Sequence, residues 1–167
     1  MTKLNIGCGA HWHGYHHDGV FYGRKQGYDG VDINDHGQKF VCDITKGMPM
    51  IQDDSIKHII CHNLLEHIAP GDLITVMNEF YRIMKSGCAL DIIVPRFPHP
   101  NSVADPTHKS FWHEKSFEYW AGKRPRSADY GIKKWAMENR PVPGGEEGES
   151  EYTWTIAKDH VRAILIK

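Results

Sequence analysis

The sequence has no excess of either charge: Lys and Arg total 20 against 21 for Asp and Glu, a formal net charge of −1 with the histidines neutral. Such a balance raises no global field, so neither nucleic acid nor an anionic membrane surface is expected as a partner. Long apolar runs are missing as well. No stretch approaches the roughly 18 consecutive apolar residues of a membrane span. The opening MTKLNIG is not a charged segment followed by a long apolar one. A chain that is neither secreted nor membrane-spanning is expected, and hence a cytoplasmic one. Cysteine is scarce: Cys8, Cys42, Cys61 and Cys88 form no C-x-x-C pair, and most of them sit in or beside apolar runs where a small thiol packs well. That argues against a disulfide framework and for a reducing compartment. No internal repeat is found, and the chain is read as one domain, residues 1–167.

What is present fits an ordinary globular chain of 167 residues, 40% hydrophobic and 25% charged. Short apolar runs bounded by Gly, Asp or Pro recur at 4–6, 30–33, 40–42, 56–61 and 89–94. Runs this short, with little polar alternation, suit parallel strands buried on both faces. Between the last two lies PGDLITVMNEFYRIMKSG, in which Leu73, Val76, Met77, Phe80, Ile83 and Met84 recur at helical spacing. Asp72 is expected to cap this helix and Gly87 to close it after Lys85. Strand, helix and strand in that order make a right-handed crossover. The links at 33–39 and 43–54, the latter holding Gly47 and Pro49, are too thin for crossover helices. The sheet is therefore expected to be sparsely covered on at least one face, and the apolar surface so left open predicts a homo-oligomer. KSFEYWAG suggests a short helix, and IKKWAMENR with YTWTIAKDHVRAILIK a closing hairpin around the solvated loop PVPGGEEGES at 141–150. The class is α/β.

The residues with chemical content begin at LNIGCG, where Gly7 and Gly9 follow an apolar run. Glycines there let a ligand approach the backbone. Asp32 ends the second run, where a carboxylate can accept both hydroxyls of a ribose. Asp43 ends the third, placed to accept from an adenine amino group, with Ile44 as an apolar surface for the base. Taken singly, each is equally an ordinary turn residue; together they point to a nucleoside site. A dinucleotide would need a third glycine under its pyrophosphate, and that position is Trp12. His11, His13, His16 and His17 crowd one stretch, but no Cys or carboxylate completes a metal-ligand spacing there, so no metal is assigned. Glu66 and His67 read as structural. Lys123, Arg124, Arg126, Lys133 and Lys134 read as a solvated face.

These blocks together resemble the class I S-adenosylmethionine-dependent methyltransferases, specifically the short type-eleven group. The resemblance is carried by LNIGCG at 4–9, GVDI at 30–33, VCDI at 41–44, DDSIKHIICHNLLEHI at 53–68, NEFYRIMKSGCALDIIVP at 78–95 and DPTHKSFWHEKSFEYW at 105–120. It implies a Rossmann-like fold of reduced helix content, mostly parallel with an antiparallel C-terminal hairpin, and S-adenosyl-L-methionine as cofactor. It further implies that Gly7 and Gly9 pass under the methionine and ribose, with Asn5, Cys8 and Ile33 in the same contact set. Asp32 would hold the ribose hydroxyls, Asp43 and Ile44 frame the adenine, and Cys61, His62 and Asn63 border the sulfonium. The sequence departs from the pattern at Asn5, where the group has an acid, at His11, where it has a glycine, and over 10–27, which is Gly- and His-rich where larger relatives have a helix.

Residues 96–130 follow the fifth strand and are expected to form the acceptor pocket and its lid, or alternatively to pack over the sheet. Asn63, His99, Asp105 and His108 are the candidates for a base and for the pocket walls. The acceptor is expected to be a small molecule rather than a macromolecule. The competing expectation is a non-catalytic module that keeps the fold and the cofactor.

Overall fold

The short apolar runs become strands: Lys3–Ile6 stops at Gly7, Asp29–Asp32 ends on its own aspartate, and Ile56–His62 stops at Asn63. The chain, seen here in a computed structural model, is described over residues 2–9, 15–17, 20–22, 27–137, 154–157 and 159–167; His11, Trp12, His13 and the loop 141–150 lie outside the described residues. In chain order the elements are β1 (Lys3–Ile6), β2 (Tyr15–His17), β3 (Val20–Tyr22), β4 (Asp29–Asp32), β5 (Phe40–Val41), β6 (Ile56–His62), α1 (Pro70–Ile83), β7 (Met84–Pro95), α2 (Asn101–Ala104), β8 (Ala136–Met137), β9 (Trp154–Ala157) and β10 (His160–Ile166).

One eight-stranded sheet runs in the order β5-β4-β1-β6-β7-β10-β8, with β9 also on β10, while β2 and β3 form a separate antiparallel pair. The pairs β1–β4, β1–β6, β4–β5 and β6–β7 are parallel, and β10 is antiparallel to β7, β8 and β9. This is the Rossmann-like, mostly parallel sheet with an antiparallel C-terminal end. The closing hairpin differs in one respect: the second of its two segments is itself folded back as β9 and β10.

Side chains alternate across the sheet. Leu4, Ile6, Ile59, Cys61, Leu90, Ile92, Val94, Val161, Ala163 and Leu165 join one core cluster with Val76, Met77, Phe80 and Ile83 of α1. Trp112 stacks on Phe117 at 5.1 Å and on Trp120 at 5.5 Å, and Tyr81 of α1 meets Trp135 edge-on at 5.0 Å, so the segment after β7 belongs to this layer. The intervening positions Asn5, His58, Ile60, His62, Asp91 and Arg162 belong to the other face. There the Arg162 guanidinium donates to both Asp91 carboxylate oxygens, at 2.7 and 2.6 Å. Among the described residues, α1 is the only α-helix longer than four residues. The face that carries Asp91 therefore combines a buried ion pair with buried apolar side chains such as Ile60 and Ile93.

The helix is corrected at both ends. Its N-cap is Ala69, with no side-chain cap; Pro70 opens it and Asp72 only adds an acid to the first turn. It stops at Ile83 rather than at Gly87, because Met84 turns extended (φ −78°, ψ 144°) and pairs with Ile56. Gly87, at φ +74°, sits within β7 and donates its N–H to the Lys167 carbonyl at 2.8 Å. Strand pairing has overridden the helical spacing of Met84. No described helix is long and apolar enough to cross a membrane.

Candidate functional site

In a parallel sheet the crevice for a ligand opens where neighbouring strands send their connections to opposite sides, at the C-terminal ends. Here that point lies between β1, which leads toward β4, and β6, which leads toward β7. A cavity of about 330 Å³ opens there, lined by Gly7, Asp32, Ile33, Asp43, Ile44, Thr45, Leu64, His67, Asp72 and Lys109 among others. Its volume is at the lower end of small-ligand pockets.

The two glycines serve different ends. Both lie in the left-handed region, at φ +73° and +61°. A Cβ on Gly7 would sit 2.9 Å from Leu64 Cβ, whereas one on Gly9 would meet nothing within 4 Å. Gly7 is thus demanded by packing against the β6 exit, and only Gly9 leaves open space. Gly9 donates its N–H to Asp32 Oδ2 at 2.8 Å, and Asn34 donates its N–H to Oδ1 at 3.0 Å. Each carboxylate oxygen keeps a further lone pair for a ligand. Asp43 caps the 3-10 turn Ile44–Lys46: its Oδ1 accepts from the Thr45 N–H at 3.0 Å and from the Thr45 hydroxyl at 2.7 Å. Those bonds hold its carboxyl below the usual range, so it is a fixed anion and acceptor. Ile33 is 63% exposed beside it, a large apolar surface at the cavity.

The other sequence candidates stand outside this lining. Asn5 is buried between Leu4 and Ile6 and belongs to the opposite face of the sheet. Cys8 is buried, and burial, then Asp32, push its thiol up to about 11. Burial, with Glu66 and Asp91 adding to it, raises Cys61 well above the usual range. Both are neutral thiols. His62 Nε2 lies 3.7 Å from Asp91 Oδ1, beyond hydrogen-bond length. Asn63 closes β6 at φ +49°, donates its N–H to the Ile93 carbonyl at 2.8 Å, and buries an Oδ1 that has no hydrogen-bond partner. A left-handed non-glycine residue with an orphaned oxygen is the kind of strain that accompanies binding sites.

His99 Nδ1 accepts from the Asn101 N–H at 3.3 Å and His99 does not line the cavity. Of residues 96–130 only Lys109 lines it; Trp112, Phe117 and Trp120 are core. Most of that segment therefore packs, the second of the two roles expected for it. Between it and α1 a shallow cavity of about 420 Å³ is bordered by Leu73, Ile74, Phe111 and Trp120.

His108 is half-buried, but it does not stand alone. The Lys109 and Ser110 N–H groups donate to the Glu66 carbonyl at 2.7 and 3.0 Å, which brings His108 to His67, ring centres 4.9 Å apart. One ligand-capable atom each from Glu66, His67 and His108 lie within 4.8 Å of one another. Glu66 is 2% exposed, its Oε2 has no hydrogen-bond partner, and burial pushes its carboxyl up to about 8. Burial, with His108 adding to it, lowers His67. Reading Glu66 and His67 as structural missed this cluster. Its signal was a carboxylate and an imidazole in succession just past a strand end, but their partner is remote in sequence.

No family model matches the chain, and no curated protein sequence matches it. Solved structures do. A SAM-dependent methyltransferase from Archaeoglobus fulgidus is 17% identical with a TM-score of 0.60, over 99% of this chain and 86% of that one. A SAM-dependent methyltransferase from Methanosarcina mazei is 15% identical with a TM-score of 0.59, over 99% and 92%. The 1,6-didemethyltoxoflavin-N1-methyltransferase of Burkholderia thailandensis, solved with bound 1,6-didemethyltoxoflavin and S-adenosylhomocysteine, is 11% identical with a TM-score of 0.61, over 99% and 70%. The chain has the fold of class I S-adenosylmethionine-dependent methyltransferases.

Proposed function

We propose that this protein binds S-adenosylmethionine in the crevice at the ends of β1, β4 and β5 and transfers its methyl group to a small-molecule acceptor. The observation that carries this reading is the convergence of two anchored carboxylates, Asp32 and Asp43, on one cavity with Ile33 and Ile44 between them. The residues fit the group: Gly9 leaves the space a Cβ would fill, Asp32 offers lone pairs to a pair of hydroxyls, and Asp43 offers one to an amino group. Bound there, the cofactor would supply an electrophilic methyl on a sulfonium.

The chain's own part is alignment. Asp32, held by Gly9 and Asn34, fixes the ribose without reorganising. Ile33 and Ile44 cover the base from water. Asn63, with its unused Oδ1 at the end of β6, borders the reactive end and can accept a hydrogen bond there. Fixing donor and acceptor in line converts a bimolecular reaction into an intramolecular one, worth several powers of ten in rate. A base is required only where the acceptor must lose a proton, and His67, which lines the cavity, is the candidate, with Glu66 and His108 beside it.

Isothermal calorimetry with S-adenosylmethionine, S-adenosylhomocysteine and NAD tests the reading. Saturable heat with the two sulfur ligands and none with NAD is expected; the reverse pattern would overturn it. Cofactor binding without turnover across hydroxyl, amine and thiol acceptors would leave the non-catalytic module instead.

A further inference from the structure

Glu66 Oε2 is a buried oxygen with no hydrogen-bond partner among the described residues, and it stands beside His67 and His108. The Thr107 hydroxyl donates its one proton to Asp105 Oδ1 at 2.7 Å. Its contact with His67 Nδ1 at 3.0 Å must then have the imidazole N–H as donor, so the lone pair of His67 lies on Nε2. His108 Nδ1 lies 2.9 Å from the Ser102 carbonyl oxygen, which can only accept. His108 therefore carries a proton on Nδ1, which leaves Nε2, 3.9 Å from Asp105 Oδ2, as its ligand-capable nitrogen. Glu66 adds a carboxylate oxygen, Oε2, that is buried and unpartnered. One ligand-capable atom each from Glu66, His67 and His108 lie within 4.8 Å of one another, so the three side chains converge on one point.

We infer that Glu66, His67 and His108 form a binding site for a divalent transition-metal ion. Two neutral imidazoles and one carboxylate suit Zn²⁺, Mn²⁺, Fe²⁺ or Co²⁺ better than Mg²⁺ or Ca²⁺, which prefer oxygen ligands alone. The outer contacts agree. Ligating histidines characteristically donate the second ring N–H to a carbonyl or a carboxylate-linked group, fixing the tautomer. Ser102 does this for His108, and Thr107, backed by Asp105, does it for His67. The backbone is built for it too, since the Glu66 carbonyl draws in the Lys109 and Ser110 N–H groups that carry His108 into place. Three protein ligands leave coordination positions open. His67 also lines the cavity, so an ion here borders the place where an acceptor would bind and favours one with an oxygen donor, a hydroxyl or a carboxylate. This last statement rests on the methyl-transfer reading; the cation site does not.

The test uses the purified full-length chain, stripped with chelator and titrated with Co²⁺ and Zn²⁺ in the absence of cofactor. One equivalent of Co²⁺ should bind and give d–d absorption bands, and Glu66→Gln and His108→Ala should each weaken binding at least about tenfold. A variant with His11, His13, His16 and His17 all changed to Ala should retain it. Should the site variants fail to fold, ¹⁵N-labelled wild-type protein decides the matter, because Zn²⁺ must shift the Nε2 resonances of His67 and His108. No stoichiometric binding, unchanged binding in Glu66→Gln and His108→Ala, or loss only in the four-histidine variant would each overturn the site. Calorimetry with S-adenosylhomocysteine is run separately, so failure of one reading is not mistaken for failure of the other.

Discussion

The Gly9 N–H reaches Asp32 Oδ2 at 2.8 Å and so ties the glycine loop to the end of the second parallel strand. The carboxylate has two tasks in the proposed site: it holds the loop and accepts the ribose. Asp32→Ala should weaken S-adenosylhomocysteine by about 1–3 kcal/mol, the scale of lost charge-assisted bonds. Asp32→Asn keeps the shape and one acceptor oxygen and should weaken it less. Calorimetry on both variants checks the order, and equal, unchanged affinities in folded protein would remove Asp32 from the site.

Gly7 and Gly9 share a backbone conformation but not surroundings, and the difference separates packing from binding. Gly7→Ala brings a Cβ to 2.9 Å from Leu64 in addition to the roughly 1–2 kcal/mol cost of a left-handed alanine. It should lower the melting temperature, with Leu64→Ala in the same chain relieving part of the loss. Gly9→Ala bears only the backbone cost, and its methyl enters the space reserved for the ligand. Its melting temperature should fall less than that of Gly7→Ala while its cofactor affinity falls more. A Gly9→Ala protein that binds as tightly as wild type would show that the ligand does not pass over this loop.

Much of this geometry was legible in the sequence. The strands were, because the short apolar runs are bounded by turn-prone residues such as Gly7 and Asn63, and Asp32 and Asp43 stood at or just past strand ends where a parallel sheet exposes its ligands. Three things were not. Met84 continues the helical spacing of α1, and only its pairing with Ile56 makes it a strand residue. The need for glycine at position 7 lies in Leu64, a contact that local pattern cannot show. The meeting of Glu66 and His67 with His108 depends on two main-chain hydrogen bonds from Lys109 and Ser110, and tertiary hydrogen bonds have no periodicity to read.

On the opposite face of the sheet, Asp91 and Arg162 form a bidentate pair whose carboxylate side chain is 6% exposed. Burial alone would raise the Asp91 carboxyl, but the His62 imidazole and Arg162 guanidinium facing it outweigh burial and hold it well below the usual range. Removing the cation while keeping the anion, as in Arg162→Met, leaves an uncompensated buried charge and should cost about 3–5 kcal/mol. Asp91→Asn with Arg162→Met should recover part of that in denaturant titration.

The same shift gives a pH dependence. The native state binds fewer protons at Asp91 than the unfolded chain does, so stability falls as pH drops from the ordinary carboxylate range toward the depressed folded value. The contribution is complete above about pH 5. Wild-type protein should lose stability between about pH 4 and pH 2 more steeply than Asp91→Asn, in which this group cannot titrate. Parallel acid slopes would show that the pair carries none of the linkage.

Ser110 joins the aromatic segment to the β6 exit. Its hydroxyl donates to the Leu65 carbonyl at 2.8 Å and accepts from Trp112 Nε1 at 3.0 Å, both bonds buried. Ser110→Ala therefore leaves a buried carbonyl and a buried indole N–H without that partner, and a cost of about 2 kcal/mol is expected. Because the Ser110 N–H also donates to the Glu66 carbonyl, loosening this residue should reach His108. If the segment only packs, Ser110→Ala lowers the unfolding free energy and nothing else. If it positions His108 against Glu66 and His67, the variant also binds Co²⁺ more weakly at temperatures well below its melting point. Ser110→Thr, which keeps the hydroxyl, should recover both properties together. Recovery of stability without recovery of Co²⁺ affinity would show that the two are not coupled through this hydroxyl.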